Sequence, residues 1–309
     1  MIARLVCVFT LLAACTHAAP SQRPCPPPSE AAAPAIPPED AQLVRWKAIA
    51  ATPDKAPPAG TTAASLVPEL LDYLGSPDPV RRDTIAFEVF TQWLRNPVLT
   101  DVDAKALSGR LVANLADMTS TVFRRSFSAL VLGEIVRRDT KKPYLTDDER
   151  RGILRAAHDY ATRETDLRGH TGATGWAHAA AHTADLLARL GQLPAFTDAD
   201  RALILEAVAS FVTRRHKEIL AYGEDGRLGV SVIVAVKAGV TQQAIDAWVA
   251  ALRAPLVEKL TPTFDPGLFA AQRNARNLLF TLFVHLTTTP APTPGEVALL
   301  AGIRALLAE

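Results

Sequence analysis

The stretch LLDYLGSPDPVRR at residues 70–82 decides the fold class of this chain. It closes an apolar segment with helical spacing, breaks at a Gly-Ser-Pro turn, and restarts with Asp78 followed by Pro79. Asp before Pro is typical of a helix start, because proline lacks only an N–H that the first helical turn leaves unbonded anyway. The stretch therefore predicts a helix over 65–74, a short turn, and a second helix to about Leu94.

The same signals recur along the chain. A Thr followed three residues later by Glu or Asp can form a reciprocal cap, and this pattern predicts helices from Thr146 to about Thr162, from Thr197 to Leu220, and from Thr293 onward. Residues 230–236 are rich in β-branched side chains, but a lone strand has no sheet to join, so we predict a buried helix there. Apolar spacing predicts further helices near 41–51, 103–117, 122–139, 175–190, 227–239, 241–260 and 267–287.

About twelve helices joined by short turns predict antiparallel helix pairs stacked in a row, an irregular α-solenoid of the all-α class. Residues 70–82 resemble the turn and second helix of a HEAT repeat, although no period of 40 to 47 residues runs along the chain. With 49% apolar and 21% charged residues, the chain can bury a large core. Its net charge of +1 argues against a nucleic-acid partner, which would require a basic surface.

Residues 1–15 have the anatomy of a bacterial lipoprotein signal peptide. Arg4 supplies a positive start, an apolar run follows, and the segment ends in Leu-Ala-Ala-Cys15. This ending resembles the lipobox, whose cysteine is diacylated, and it predicts a lipid anchor to the membrane on Cys15. An ordinary secretory leader and a cytoplasmic apolar N-terminus are the alternatives.

Residues 16–38 are rich in Pro and Ala and predict an extended tether, followed by a single helical domain over 39–309. Thr16, rather than an acidic residue, follows the lipidated cysteine. This resembles lipoproteins sorted to the outer membrane, so we expect the domain in the cell envelope, facing the periplasm. No cysteine follows Cys25, which excludes a disulfide or a thiolate site from the helical domain.

The residues that most suggest chemistry lie within 166–185. Glycines loosen the backbone up to Gly175, where a helix is expected to begin. His178 and His182 are four residues apart, so we expect their rings on one helical face, and Asp185 falls on that face too.

Three interpretations of this constellation stay open. In the first, His178, His182 and Asp185 are ligands of a divalent metal such as zinc. In the second, a metal-free pocket contains a histidine that titrates near neutrality, with Asp185 or Asp166 orienting it and Arg168 holding an anion. In the third, both histidines are simply hydrogen-bonded inside a helical core. Glu224 and Arg227, between two predicted helices, form either a capped turn with an ion pair or part of the same pocket.

Several segments together resemble the bacterial family called domain of unknown function 2785. They are Arg82-Asp83, FRRSFS at 123–128, DLRG at 166–169, GWAHAAAHTAD at 175–185 and EDGRL at 224–228. The resemblance covers residues 65–288 and implies a helical, HEAT-like domain, but no particular activity or cofactor. Because Trp176 and both histidines belong to the motif, the resemblance favours a shared pocket over an accidental core.

The sequence thus favours a lipid-anchored binding protein that engages a small ligand or an envelope protein through a pocket near His178 and His182. A metal-assisted or His/Asp-assisted envelope hydrolase is the second hypothesis, so the residues leave open whether the chain is an enzyme. A structural protein without a pocket is the third.

Overall fold

The computed structural model describes residues 35–308. Within this range the chain forms twelve α-helices and no β-strand, which confirms the all-α class and the expected number of helices. A π-helical segment, Val80–Phe87, runs directly into α3, and a 3-10 turn, Gly172–Thr174, precedes α7. The helices are α1 (Ala41–Ala50), α2 (Ala63–Leu74), α3 (Glu88–Arg95), α4 (Asp101–Ala116), α5 (Val122–Lys141), α6 (Asp147–Arg163), α7 (Ala179–Gly191), α8 (Asp198–Thr213), α9 (Glu224–Ala238), α10 (Gln242–Val257), α11 (Pro266–Thr288) and α12 (Pro294–Leu307).

The helices pack in two rows. In one row α3, α5, α7, α9 and α11 each contact the next, and in the other α4, α6, α8, α10 and α12 do the same. Successive helices such as α4 and α5, or α11 and α12, pack against each other across the rows. This neighbour-on-neighbour arrangement is that of an α-solenoid.

One hydrophobic core runs through the stack, from Leu43 in α1 to Leu306 in α12. Residues Pro34–Glu309 form one compact unit, so this segment carries its entire core within itself. None of the described helices is both long and apolar enough to cross a bilayer. The predicted signal peptide, Cys15 and residues 16–34 of the predicted tether lie outside the described residues.

The predicted helix starts are confirmed where the side chains themselves cap the helix. The hydroxyls of Thr146, Thr197 and Thr293 each accept a hydrogen bond from the backbone N–H three residues on, and the acidic side chain there accepts one from the threonine N–H. Thr100 forms a fourth such box with Asp103. Residues 230–236 lie inside α9, as predicted, and the β-branched side chains of Val232, Ile233 and Val236 pack in the core rather than in a sheet.

The helix expected from Gly175 begins only at Ala179, so the prediction that His178 and His182 share a helical face is wrong. Gly175 and His178 both have left-handed backbones, with φ of 70° and 49°. The segment before α7 instead folds back on itself: the N–H of His178 donates to the carbonyl of Arg168 (3.1 Å) and that of Ala177 to Gly169 (2.9 Å). This short hairpin satisfies backbone groups that a helix would otherwise have paired.

The helix expected to reach Leu220 ends at Thr213. Asn274, fully buried on α11, accepts a hydrogen bond from the Leu220 N–H (2.9 Å) and donates to the Glu218 carbonyl (3.1 Å). An amide that bonds both backbone groups of a neighbouring segment holds it in a non-helical path. The long-range contact therefore overrides the local helical pattern.

Candidate functional site

The loop that leads from α6 to α7 is fastened at its start by Glu164. This carboxylate is fully buried and accepts hydrogen bonds from the backbone N–H groups of Thr165 and Asp166, each at 2.9 Å. Arg125 of α5 donates two further hydrogen bonds to this carboxylate, from Nε at 2.7 Å and from Nη2 at 2.9 Å. A buried charge is tolerated when it is paired and hydrogen-bonded in this way.

The far part of the same loop is fastened by Arg82. Its guanidinium is fully buried, pairs with Asp83 (2.8 Å), and donates to the carbonyls of Ser76 and Thr174, each at 2.9 Å. It lies against the face of the Phe123 ring at 4.3 Å, a cation–π contact. A Cβ on Gly175 would come within 3.2 Å of Arg82 Nη2, so the loop approaches the arginine as only glycine allows.

His178 follows this loop and lies against Glu224, the first residue of α9. The His178 Nε2 and Glu224 Oε1 atoms are 3.7 Å apart, and both are buried without a hydrogen-bond partner among the described residues. Burial lowers the pKa of His178 to about 4, helped by the nearby Arg227 charge, and burial also raises the pKa of Glu224. At neutral pH the imidazole is therefore uncharged, and 3.7 Å is too long for a hydrogen bond.

His182 lies one turn inside α7, with its ring 5.7 Å from that of His178. Its Nδ1 is 2.8 Å from the Ser126 hydroxyl oxygen, and that hydroxyl donates its single hydrogen to the Ala177 carbonyl. This bonding pattern assigns the ring hydrogen to Nδ1 and leaves a lone pair on Nε2. Burial lowers the pKa of His182 well below its ordinary value, so the ring is neutral.

His182 also lines a cleft of about 340 Å³ on the row formed by α3, α5, α7 and α9. Three partly exposed arginines border it, and two carboxylates lie between them. The lining residues are Phe87, Arg95, Leu130, Glu134, His182, Asp185, Arg189 and Arg227.

The charges in the cleft are paired unequally. Glu134 accepts two bonds from Arg95 (2.7 and 2.9 Å) and one from Arg189 (3.3 Å), while Asp185 bonds Arg227 at 2.8 Å. Burial would raise the pKa of Glu134, but the hydrogen bond from Arg95 and the charges of the surrounding arginines together outweigh it and hold that pKa below its usual value. Burial raises the pKa of Asp185 despite the charge of Arg227. With both carboxylates ionised, the lining still has one positive charge in excess.

The structure divides the candidate residues into three neighbouring groups. His182, Asp185 and Arg227 line the cleft. Trp176, His178 and Glu224 form a cluster behind the start of α7, where the Trp176 ring lies 4.3 Å from His178 and 5.5 Å from Tyr222. In the loop, Arg168 donates two hydrogen bonds to the Asp166 carboxylate, from Nε at 2.8 Å and from Nη2 at 2.5 Å.

The three residues proposed as metal ligands do not converge. Asp185 bonds Arg227, and His182 Nδ1 is occupied by Ser126. Across residues 35–308, no group of three or more His, Cys, Asp or Glu side chains is placed to hold a metal ion.

Sequence reasoning missed three charged cleft residues, Arg95 on α3, Glu134 on α5 and Arg189 on α7. Glu134 had a detectable signal, since a single acid in the apolar run VLGEIV of a buried helix needs a cationic partner. Arg95 and Arg189 had none, because an arginine near a helix C-terminus is ordinarily a solvated surface residue.

Comparison with known proteins gives one match. The family model described as "Protein of unknown function (DUF2785)" matches residues 111–284, more than half of the chain, and includes every cleft residue except Phe87 and Arg95. No curated protein and no solved structure matches the chain. The chain therefore belongs to the DUF2785 family, as its motifs predicted.

Proposed function

We propose that this chain is an exported, lipid-anchored binding protein that holds a small anion, a carboxylate or a phosphate, in the cleft beside His182. The observation that carries the proposal is the charge of the cleft. Three arginines border a cavity of about 340 Å³ and face only two carboxylates. A partly enclosed site with an excess of guanidinium groups attracts an anion more strongly than an exposed surface does.

The arginines keep hydrogen-bonding capacity for a ligand. A guanidinium has five N–H donors in a planar fork that matches a carboxylate or a phosphate. Arg227 uses Nη1 for Asp185, and Arg189 uses Nη2 for Glu134. A bound anion would add charge-assisted bonds to the remaining donors without breaking these pairs.

The lining also favours binding over hydrolysis. His182 is a neutral acceptor through Nε2, which suits a ligand hydroxyl next to the anion. Among the described residues that line the cleft there is no Ser, Thr or Cys that His182 could activate as a nucleophile, and the buried hydroxyl of Ser126 is bonded to the Ala177 carbonyl. His178 and Glu224 are also an acid and a base side by side, but His178 Nε2 and Glu224 Oε1 are buried, so a substrate in solvent cannot reach them.

The cell-envelope location is supported by the leader. A positive start, a short apolar run and the ending Leu-Ala-Ala-Cys15 are the features that direct export and lipidation. The Pro-rich residues that follow would hold the domain away from the membrane surface.

Calorimetric titration of residues 34–309 with inorganic phosphate and with butyrate tests the anion site. We expect both probes to bind, and the affinity to fall about tenfold or more in Arg189→Gln and in Arg227→Gln, because each loses charge-assisted bonds. Arg110→Gln, at an exposed position of α4, is the matched control and should bind as the wild type does. Equal affinity of all four proteins, or no heat with either probe, would contradict the proposal.

A further inference from the structure

A second cavity lies on the other side of α9 from the cleft. It has a volume of about 310 Å³, and its lining is almost entirely apolar, in contrast to the charged cleft. Gly226, Gly229, Val230 and Ile233 of α9 form one wall, and Leu282 and His285 of α11 belong to the other. We call this cavity the α9–α11 groove.

Two glycines shape the groove. A Cβ on Gly229 would lie 3.4 Å from Thr281 Cγ2 and 3.7 Å from Leu282 Cδ2, in ordinary van der Waals contact with α11. A Cβ on Gly226, one turn earlier, would meet nothing within 4 Å. At Gly229 the gap between α9 and α11 is therefore about one methyl group wide, whereas at Gly226 it is open.

The groove and the cleft open on the same side of the row. Arg227 and Ser231 of α9 face α7, where they bond Asp185 and the Ala184 carbonyl, each at 2.8 Å. Gly226 and Gly229 face α11. Arg227 and Val230, one turn apart, are both exposed on the strip of α9 between the two cavities. A ligand that lies across this strip reaches both.

We propose that the natural ligand of the cleft is a single-chain fatty carboxylate, whose carboxylate binds Arg227 and Arg189 while its alkyl chain lies in the α9–α11 groove. This inference rests on the proposed anion site and adds the apolar half of the ligand. The arginines complement the charge of the carboxylate head group. The apolar groove, which begins at Gly226 next to Arg227, accommodates the alkyl chain.

The exposed side chains beside the groove agree with an apolar occupant. Val230 is 54% exposed, and Val284, next to the groove residue His285, is 61% exposed. Exposed apolar side chains that adjoin a groove are typical of a binding surface, whereas isolated ones are ordinary. Covering them with an alkyl chain removes apolar area from water.

Titration of residues 34–309 with dodecanoate, kept below its micellar concentration, tests the proposal against the butyrate titration. We expect dodecanoate to bind roughly a hundredfold more tightly than butyrate, the gain from burying a few methylenes. Gly226→Phe fills the open part of the groove and should remove this gain, so that dodecanoate and butyrate bind the variant with similar affinities. Gly109→Phe, at an exposed glycine of α4 with equal space around it, is the matched control.

The outcomes separate the two proposals. Butyrate binding with no gain from the longer chain, or a gain that Gly226→Phe leaves intact, overturns the fatty-carboxylate inference and keeps the anion site. Dodecanoate binding that is insensitive to Arg227→Gln also overturns the inference, because the head group would then lie elsewhere. The absence of butyrate and phosphate binding removes the anion site itself.

Discussion

His178 is the residue in which local strain and burial combine. Its left-handed backbone, with φ of 49°, is uncommon for a residue with a side chain. The conformation lets its ring lie between Trp176 and Glu224 while its N–H completes the hairpin before α7. The cost is a buried imidazole that burial keeps uncharged until the pH falls to about 4.

His178→Asn should flatten the acid side of the stability curve. In the unfolded chain a histidine takes up its proton near pH 6.5, whereas folded His178 does so only near pH 4. The unfolded state therefore binds more protons in this window, and the free energy of unfolding falls as the pH decreases from about 6.5 to about 4. Asn tolerates a left-handed backbone and does not titrate, so the variant should lose roughly 3 kcal/mol less over that range. Urea unfolding at a series of pH values measures this difference.

The groups facing His178 determine how the result is interpreted. Glu224 and Arg227 face it from α9, His182 from α7, and His170 from the loop. The pKa of His182 is also lowered by burial, so the variant's free energy of unfolding should still fall somewhat as the pH decreases. An unchanged slope, or an NMR titration of folded His178 near pH 6.5, would contradict this prediction, because the folded ring would then take up its proton as readily as the unfolded one.

At the scale of elements, the loop between α6 and α7 depends on charged residues supplied by other elements. Glu164 lies at the end of α6 but is gripped by Arg125 of α5, and Arg82 reaches Thr174 from the π-helical segment. All three side chains are fully or almost fully buried. The hairpin that positions His178 and His182 is therefore held in place by side chains from neighbouring helices.

Arg82→Met should release that loop. Methionine can still pack on Phe123, but the carbonyls of Ser76 and Thr174 and the carboxylate of Asp83 lose their donor. Removing one partner of a buried charge network costs about 3 kcal/mol of unfolding free energy, measurable by urea denaturation. Amide hydrogen exchange around residues 171–177 should also become faster.

Arg110→Met on the exposed side of α4 is the control and should change stability by less than about 0.5 kcal/mol. If Arg82→Met costs no more than this control, the guanidinium does not hold the loop.

Helix starts were predictable where the cap lies in the same segment. Thr146, Thr197 and Thr293 and their acidic partners are three residues apart, so sequence alone specifies the cap. The end of α8 and the start of α7 were mispredicted. The end of α8 depends on Asn274, far along the chain, and the start of α7 on a hairpin whose backbone bonds compete with helix. Local propensity cannot anticipate such partners.

At the scale of the whole molecule, the stack produces the cleft. Its lining comes from the π-helical segment and from α3, α5, α7 and α9, which are consecutive in one row but separated by the helices of the other. Arg95 and Glu134, which bond each other, are 39 residues apart. A solenoid brings such residues together along a single face, which is how these folds build binding surfaces.

The predicted lipid anchor on Cys15 would determine where the whole molecule is located. Cys15→Ser should abolish incorporation of radiolabelled palmitate and leave the chain with its leader uncleaved, because lipidation requires the thiol of the lipobox cysteine. Metabolic labelling followed by gel electrophoresis measures both. Cys25→Ser, in the predicted tether, is the matched control and should be labelled like the wild type. Labelling that persists in Cys15→Ser, or an unlabelled wild type cleaved after residue 15, would indicate an ordinary secretory leader.

The sequence by itself determined the all-α class, the number of helices, most of their starts and the family, because these depend on spacing, caps and motifs within short segments. It also singled out His182, Asp185 and Arg227 as candidate site residues. Only the tertiary structure decided that His178 turns toward Glu224 and that Arg95 and Glu134 complete the cleft. Such contacts join residues far apart in the chain, and packing between helices, rather than any local pattern, selects them.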